Sequence, residues 1–193
     1  MEKMELACSD GEVSMKRLFA FLLITFFITA CSLGYPPIEE LLIDDTLFPQ
    51  GWNASSEGPQ VSPSAPFGGI RSIDRTMLSF DNTLVGATEQ IERFRNSQEA
   101  SNEFVNNRDF LFREIPTVGP YLVPEELPYQ SSVADRYYFA CTRPFPLLGC
   151  MYFAQYGPYI IQFHIGWDLD SMSANDLEKI LNAIDENMHP YTE

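Results

Sequence analysis

The chain has 193 residues and a formal net charge of −15, with 45% hydrophobic and 20% charged residues. It is too apolar for a disordered protein, and the length suits one domain. Nucleic-acid grooves and polybasic lipid patches both need clustered Lys and Arg, so the charge excludes either as the main activity.

The first informative stretch is Lys16 to Cys31. Lys16 and Arg17 form a short positive region. Leu18 to Thr29 is an apolar run of 12 residues, too short to span a bilayer, which takes about 20 residues. It has the proportions of a secretory signal core. The run ends in Ile28-Thr29-Ala30-Cys31. This resembles the lipobox of bacterial lipoprotein precursors. The resemblance implies that Cys31 takes a diacylglyceryl thioether, that the bond before it is cut, and that its new amino group is open to acylation. A thiolate nucleophile suits that chemistry.

Residues 1–14 carry Glu2, Glu5, Asp10 and Glu12 against Lys3, the wrong sign for a signal start. They read as a start-site extension, with Met15 opening the signal peptide at 15–30. Counted from Cys31, the chain holds nine basic and 23 acidic side chains, a net −14. Such a surface repels anionic headgroups, so attachment must come from the lipid, and several acyl chains anchor where one would not. The expected location is extracytoplasmic: the outer face of the cell membrane, or the outer membrane in a two-membrane bacterium.

Of four cysteines, Cys8 precedes the signal and Cys31 is the lipid site. Cys141 and Cys150 remain. An even pair in an exported chain predicts a disulfide. Their spacing is not the C-x-x-C of redox sites, and a zinc site needs about four ligands. No metal or cofactor is expected.

Residues 31–70 read as a tether, with Pro at 36, 37, 49, 59, 63 and 66. Ile38 to Leu42 has the pattern of one helical turn. Residues 47–52, which include Phe48 and Trp52, are too apolar to leave wet and are expected to dock on the domain. The folded domain is placed at 71–193. Arg71–Phe80 alternates weakly. A turn follows at Asp81-Asn82. Thr83–Phe94 favours a strand, with a helix as the alternative. Ser97 is the expected N-cap of a helix carrying Ala100, Phe104, Arg108 and Leu111 on one stripe. Pro116 stops it, and residues 116–132 read as a long loop.

Three strands follow at 135–142, 150–156 and 158–167. A turn at Tyr156-Gly157 would pair Ala154 with Tyr159, Tyr152 with Ile161 and Cys150 with Phe163. One face then holds Tyr152, Tyr159, Ile161, Phe163 and Ile165. The other holds Met151, Phe153, Ile160, Gln162 and His164. Ser173 caps a final helix whose Leu177, Ile180, Leu181, Ile184 and Met188 recur at helical spacing. The order β-β-α-β-β-β-α predicts an α+β fold: a C-terminal three-stranded meander plus an N-terminal hairpin in one antiparallel sheet, with two helices packed on one face.

The layout of signal, Leu47-to-Trp52 stretch and cysteine pair is similar to small bacterial lipoproteins. Some of these have domains like the extracytoplasmic sensor domains of receptor kinases. That resemblance implies binding rather than catalysis.

No catalytic motif is present. His164 sits alone in an apolar strand, and His189 at a helix end, where a cation suits the dipole. Asp168-Leu169-Asp170 lacks the glycine and glutamate of a calcium loop. Aromatic residues, Tyr138 among them, crowd positions 137–167. They are either core or a binding face, with Trp52, Tyr152, Tyr159, Phe163, His164 and Trp167 as candidate lining residues. The expectation is a non-enzymatic binding or sensor-like domain for a small apolar or glycan ligand. The alternative is an envelope protein that docks another protein, and a hydrolase is the distant third. A cavity in the helix–sheet sandwich favours the first; a filled core beside an exposed aromatic patch favours the second.

Overall fold

Every second residue is buried from Ile73 to Ser79 and from Ala87 to Ile91, which gives the sheet one covered face, while the paired Ser72 and Glu92 are buried on the other. The computed structural model describes residues 35–63, 65–79, 85–114, 119–142, 148–167 and 171–192, without the side chains of Leu148 and Trp167. Residues 1–30, Cys31, the Asp81-Asn82 turn and Asp168–Asp170 lie outside them. Among the described residues no helix is long and apolar enough to cross a membrane.

The fold is α+β. Seven strands form one antiparallel sheet: β1 (Trp52–Ala54), β2 (Gln60–Ser62), β3 (Arg71–Ser79), β4 (Gly86–Arg93), β5 (Arg136–Thr142), β6 (Leu148–Tyr156) and β7 (Tyr159–Trp167). The order across the sheet is β1-β3-β4-β7-β6-β5, with β2 sharing the outer edge of β3. Two α-helices are described, α1 (Ser97–Leu111) and α2 (Ala174–Met188).

The helices lie on opposite faces, not on one as the sequence suggested. On one face Leu177, Ile180, Leu181, Ile184 and Met188 of α2 share a buried cluster with Tyr152, Ile161, Phe163 and Ile165. On the other, Ala100 and Phe104 of α1 pack with Phe94, Phe153 and Ile160. Phe104 stacks on Phe153 at 4.8 Å. Both faces of β6 and β7 are apolar, so each needs a cover.

The β6–β7 faces are as read from sequence, but the register differs by two. Tyr152 pairs with Phe163, Ala154 with Ile161 and Tyr156 with Tyr159. The turn is therefore Gly157-Pro158. Gly157 takes the positive φ of 51°, which tyrosine tolerates poorly. A Cβ at Gly157 would meet the Tyr191 carbonyl oxygen at 2.2 Å. A two-residue shift keeps every side chain on its face.

Two further readings are corrected. Asn96, not Ser97, caps α1, its Oδ1 accepting from the Glu99 N–H at 2.8 Å. And the folded unit begins at Pro37, so residues 37–70 are not a tether. Ile38, Leu41, Ile43, Phe48 and Trp52 are buried in the main cluster. The docking expected of 47–52 is seen, with Phe48 5.6 Å from Trp52 and 6.5 Å from Phe163. The Trp52 indole N–H donates to the Ser171 carbonyl at 3.1 Å. Cys141 and Cys150 are paired across β5 and β6 and bonded, with Cα atoms 4.0 Å apart.

Candidate functional site

Three buried carboxylates organise the interior. The first is Asp185. It follows Leu177 and Leu181 at four-residue spacing, which turns it inward with the apolar stripe of α2. It accepts from Tyr129 Oη at 2.8 Å, Ser131 Oγ at 2.7 Å, Tyr152 Oη at 3.0 Å and Tyr156 Oη at 2.5 Å. Burial, then the neighbouring phenol and the Asp185 charge, push the Tyr156 hydroxyl well above the ordinary phenol range. Tyr129 and Tyr152 move the same way, burial again the largest cause. None of the three is an activated base. The cluster instead ties α2, the loop before β5 and strand β6 together.

The second is Glu89, 2% exposed on the α2 face of β4. Its Oε2 accepts from Arg75 Nη2 at 2.5 Å, and its Oε1 from the Ile43 N–H at 3.3 Å. Arg75 also donates to the Ile43 carbonyl at 2.6 Å and to Asp45. Burial outweighs the Arg75 attraction and pushes the Glu89 carboxyl up to about 7. The pair fastens the segment around Ile43 onto the sheet.

The third is Glu92, fully buried on the α1 face. Both its oxygens accept from the Phe67 N–H at 3.2 Å, and Oε1 accepts from Gln90 Nε2 at 3.1 Å. Burial, against the N–H groups of Phe67 and Gly69, pushes it up to about 7.

The sequence-derived candidate face does not hold together as a surface. Trp52, Tyr152, Tyr159 and Phe163 are all buried beneath the α2 face. His164 lies on the opposite face and is exposed. Its cross-strand neighbours are Thr88 and Met151, so neither adjacent strand places a carboxylate opposite it. The Trp167 side chain lies outside the described residues, as does Cys31. Among the described residues no group of three or more His, Cys, Asp or Glu side chains is arranged to hold a metal.

Aromatic surface lies elsewhere. α1 sits over β6 and β7 and leaves edge strand β5 beside its C-terminal end. There Phe112 meets Tyr138 of β5 at 4.4 Å and Tyr121 at 5.2 Å, both edge-on. Tyr138 is 40% exposed, and Leu122 and Val123 are 64% and 58% exposed. Leu122 is held rigidly, since it exchanges two 2.8 Å backbone hydrogen bonds with Cys141. Nearby Phe110 is exposed with Arg113 4.5 Å over its ring. Val105 is also exposed and sits one to two turns before Phe112 on the same flank of α1.

Sequence reading took Tyr138 only as one of the crowded aromatics. The signal that separates it from Tyr137 and Phe139 is parity. Phe139 shares its face with Tyr152, and Tyr138 shares the other with Phe153.

No protein-family model, curated protein or solved structure matches this chain.

Proposed function

We propose that this chain is an extracytoplasmic lipoprotein, anchored through Cys31, whose folded unit is a non-enzymatic protein-interaction domain. The observation that carries the interaction reading is the corner where exposed Tyr138, Leu122 and Val123 sit beside half-buried Phe112 and Tyr121. Contiguous apolar groups on a rigid edge are what interfaces use as anchors. The opposing reading, a small ligand between sheet and helix, has less support. The aromatic residues that would line such a pocket fill the α2 interface themselves, with Tyr152, Tyr159 and Phe163 all at 1% exposure or less. The lipid anchor rests on the lipobox-like Ile28–Cys31 sequence and on an exported-type disulfide at Cys141–Cys150.

The test is site-specific photo-crosslinking in cells. A photoreactive group at Tyr121 or Tyr138 is expected to yield a discrete protein adduct. The same group at exposed Lys179 on α2 is expected to yield none. No adduct at the corner, together with a small molecule released from the purified native chain on unfolding, would return the account to ligand binding.

A further inference from the structure

We propose that the Cys141–Cys150 disulfide sets the aromatic corner, so that the interaction surface is complete only in a chain oxidised after export. This rests on the reading of that corner as a docking surface and of the chain as exported.

The corner is built on the margin of the sheet. β5 ends the strand order, and β6 is its one neighbour in that order. Cys141 of β5 holds the segment that carries Tyr121, Leu122 and Val123. Its N–H donates to the Leu122 carbonyl, and its carbonyl accepts from the Leu122 N–H, both at 2.8 Å. A strand residue turns its N–H and C=O to the same side. Cys141 therefore spends both on Leu122, away from its β6 partner Cys150. Such an antiparallel pair is of the non-hydrogen-bonded kind, so at this level the sulfur bridge is what ties β5 to β6. The flanking pairs are Ala140 with Met151 and Thr142 with Gly149, and Gly149 adds no side chain to the hold.

The fastening at Leu122 is not repeated on either side. Pro120 and Pro124 fall at the next hydrogen-bonding positions of the segment. Neither has an N–H with which to complete a pair. The exposed Leu122 and Val123 thus take their places from one residue of β5, and that residue is the bonded cysteine. Tyr121 comes with them, and through Phe112 it meets Tyr138.

Burial gives the device a direction. Cys150 is wholly buried and Cys141 is 5% exposed. The bond therefore closes as the chain folds. Two thiols give up two protons and two electrons to an external disulfide oxidant, which leaves as a dithiol. Exported compartments supply such an oxidant, whereas a reducing cytoplasm keeps the thiols free. Once closed, the bond is shielded from thiol attack by the fold around it.

The experiment compares the full exported chain with Cys141→Ala/Cys150→Ala by amide hydrogen exchange and by the photo-crosslink at Tyr121. In the double variant the amides of residues 122 and 141 are expected to speed up at least about tenfold more than that of Ile161 in central strand β7. The Tyr121 adduct is expected to be lost. Leu181→Ala, which weakens the opposite face, is expected to keep it. Should the double variant fail to fold, Leu122→Pro serves in its place, because it removes the Leu122 N–H and leaves the disulfide intact; it too is expected to lose the adduct. An adduct undiminished in either variant, or exchange that rises equally at 122, 141 and 161, overturns the proposal. A wild-type chain with no adduct overturns the docking reading instead, and the exchange rates still decide whether the disulfide sets the corner.

Discussion

The carboxylate of Asp185 and the hydroxyl of Tyr129 lie 2.8 Å apart across 56 positions of sequence. The same carboxylate takes three further hydroxyl donors. One side chain thus joins the second helix, the loop before β5 and the central sheet. Removing it would take the shared acceptor from four hydroxyls at once, leaving Tyr152 and Tyr156 only each other, 2.7 Å apart. Asp185→Ala should therefore cost about 3–5 kcal/mol, while Tyr129→Phe, which deletes one donor, should cost about 1–2 kcal/mol. Urea unfolding measures both. Equal, small effects would mean that the cluster is not holding the helix.

The same helix supplies the core on its apolar stripe. Leu181 is fully buried between α2 and the sheet. Leu181→Ala should destabilise by about 2–5 kcal/mol as a cavity-forming truncation. A loss below about 0.5 kcal/mol, from the same unfolding measurement, would contradict the packing described.

The disulfide closes a short loop between adjacent strands. Replacing both Cys141 and Cys150 by alanine should lower stability by about 2–3 kcal/mol in the chain-entropy account. Thiol titration of the exported chain should find neither cysteine free. Two free thiols would remove the bond from the account.

Glu89 and Glu92 give the stability a pH dependence of defined sign. Each has its carboxyl pushed up to about 7 in the fold from an ordinary 4.5, chiefly by burial. Between those values the folded chain holds protons that the unfolded chain has lost. Their contribution is fully present below about pH 4.5 and is lost as pH rises through about 7. Asp44 and Asp176 are shifted downward by local hydrogen bonds and weigh the other way. Comparison with Glu92→Gln isolates one group. The wild-type urea midpoint should fall more steeply than the variant's between pH 5 and pH 8. Parallel slopes would contradict the assignment for Glu92.

Much of the fold was legible in the sequence, and the misreadings have physical causes. The final helix was readable because its five apolar residues keep strict spacing and Ser173 caps it, its Oγ accepting from the Asp176 N–H at 3.2 Å. The β6–β7 faces survived a register error because a slip of two preserves parity. Segment 37–62 was misread because its prolines dominate the composition. The single helical turn read at Ile38–Leu42 is there as the 3-10 turn Ile38–Leu41, but Ile43, Phe48 and Trp52 are spaced irregularly around the short 3-10 turn Asp45–Leu47, which leaves no longer period to mark the segment as folded.

The candidate site was less legible. Aromatic crowding marked the region but not which members face outward. That follows from pairing with β6 and from where α1 ends, and neither is a local property of the chain. Glu89 and Glu92 are not singled out within Thr83–Phe94, which reads only as a strand or a helix. Their burial depends on Arg75 and on the Phe67–Gly69 backbone, both distant in sequence.

The central claim is that a lipid on Cys31 holds this interaction domain at a membrane. The most direct measurement is the intact mass of the mature chain extracted from the membrane fraction, beside a Cys31→Ser variant. The account predicts a wild-type chain that begins at Cys31 and carries a diacylglyceryl thioether, and a variant that leaves the membrane fraction. A wild-type chain of unmodified mass, or a Cys31→Ser chain that stays with the membranes in carbonate, would contradict it.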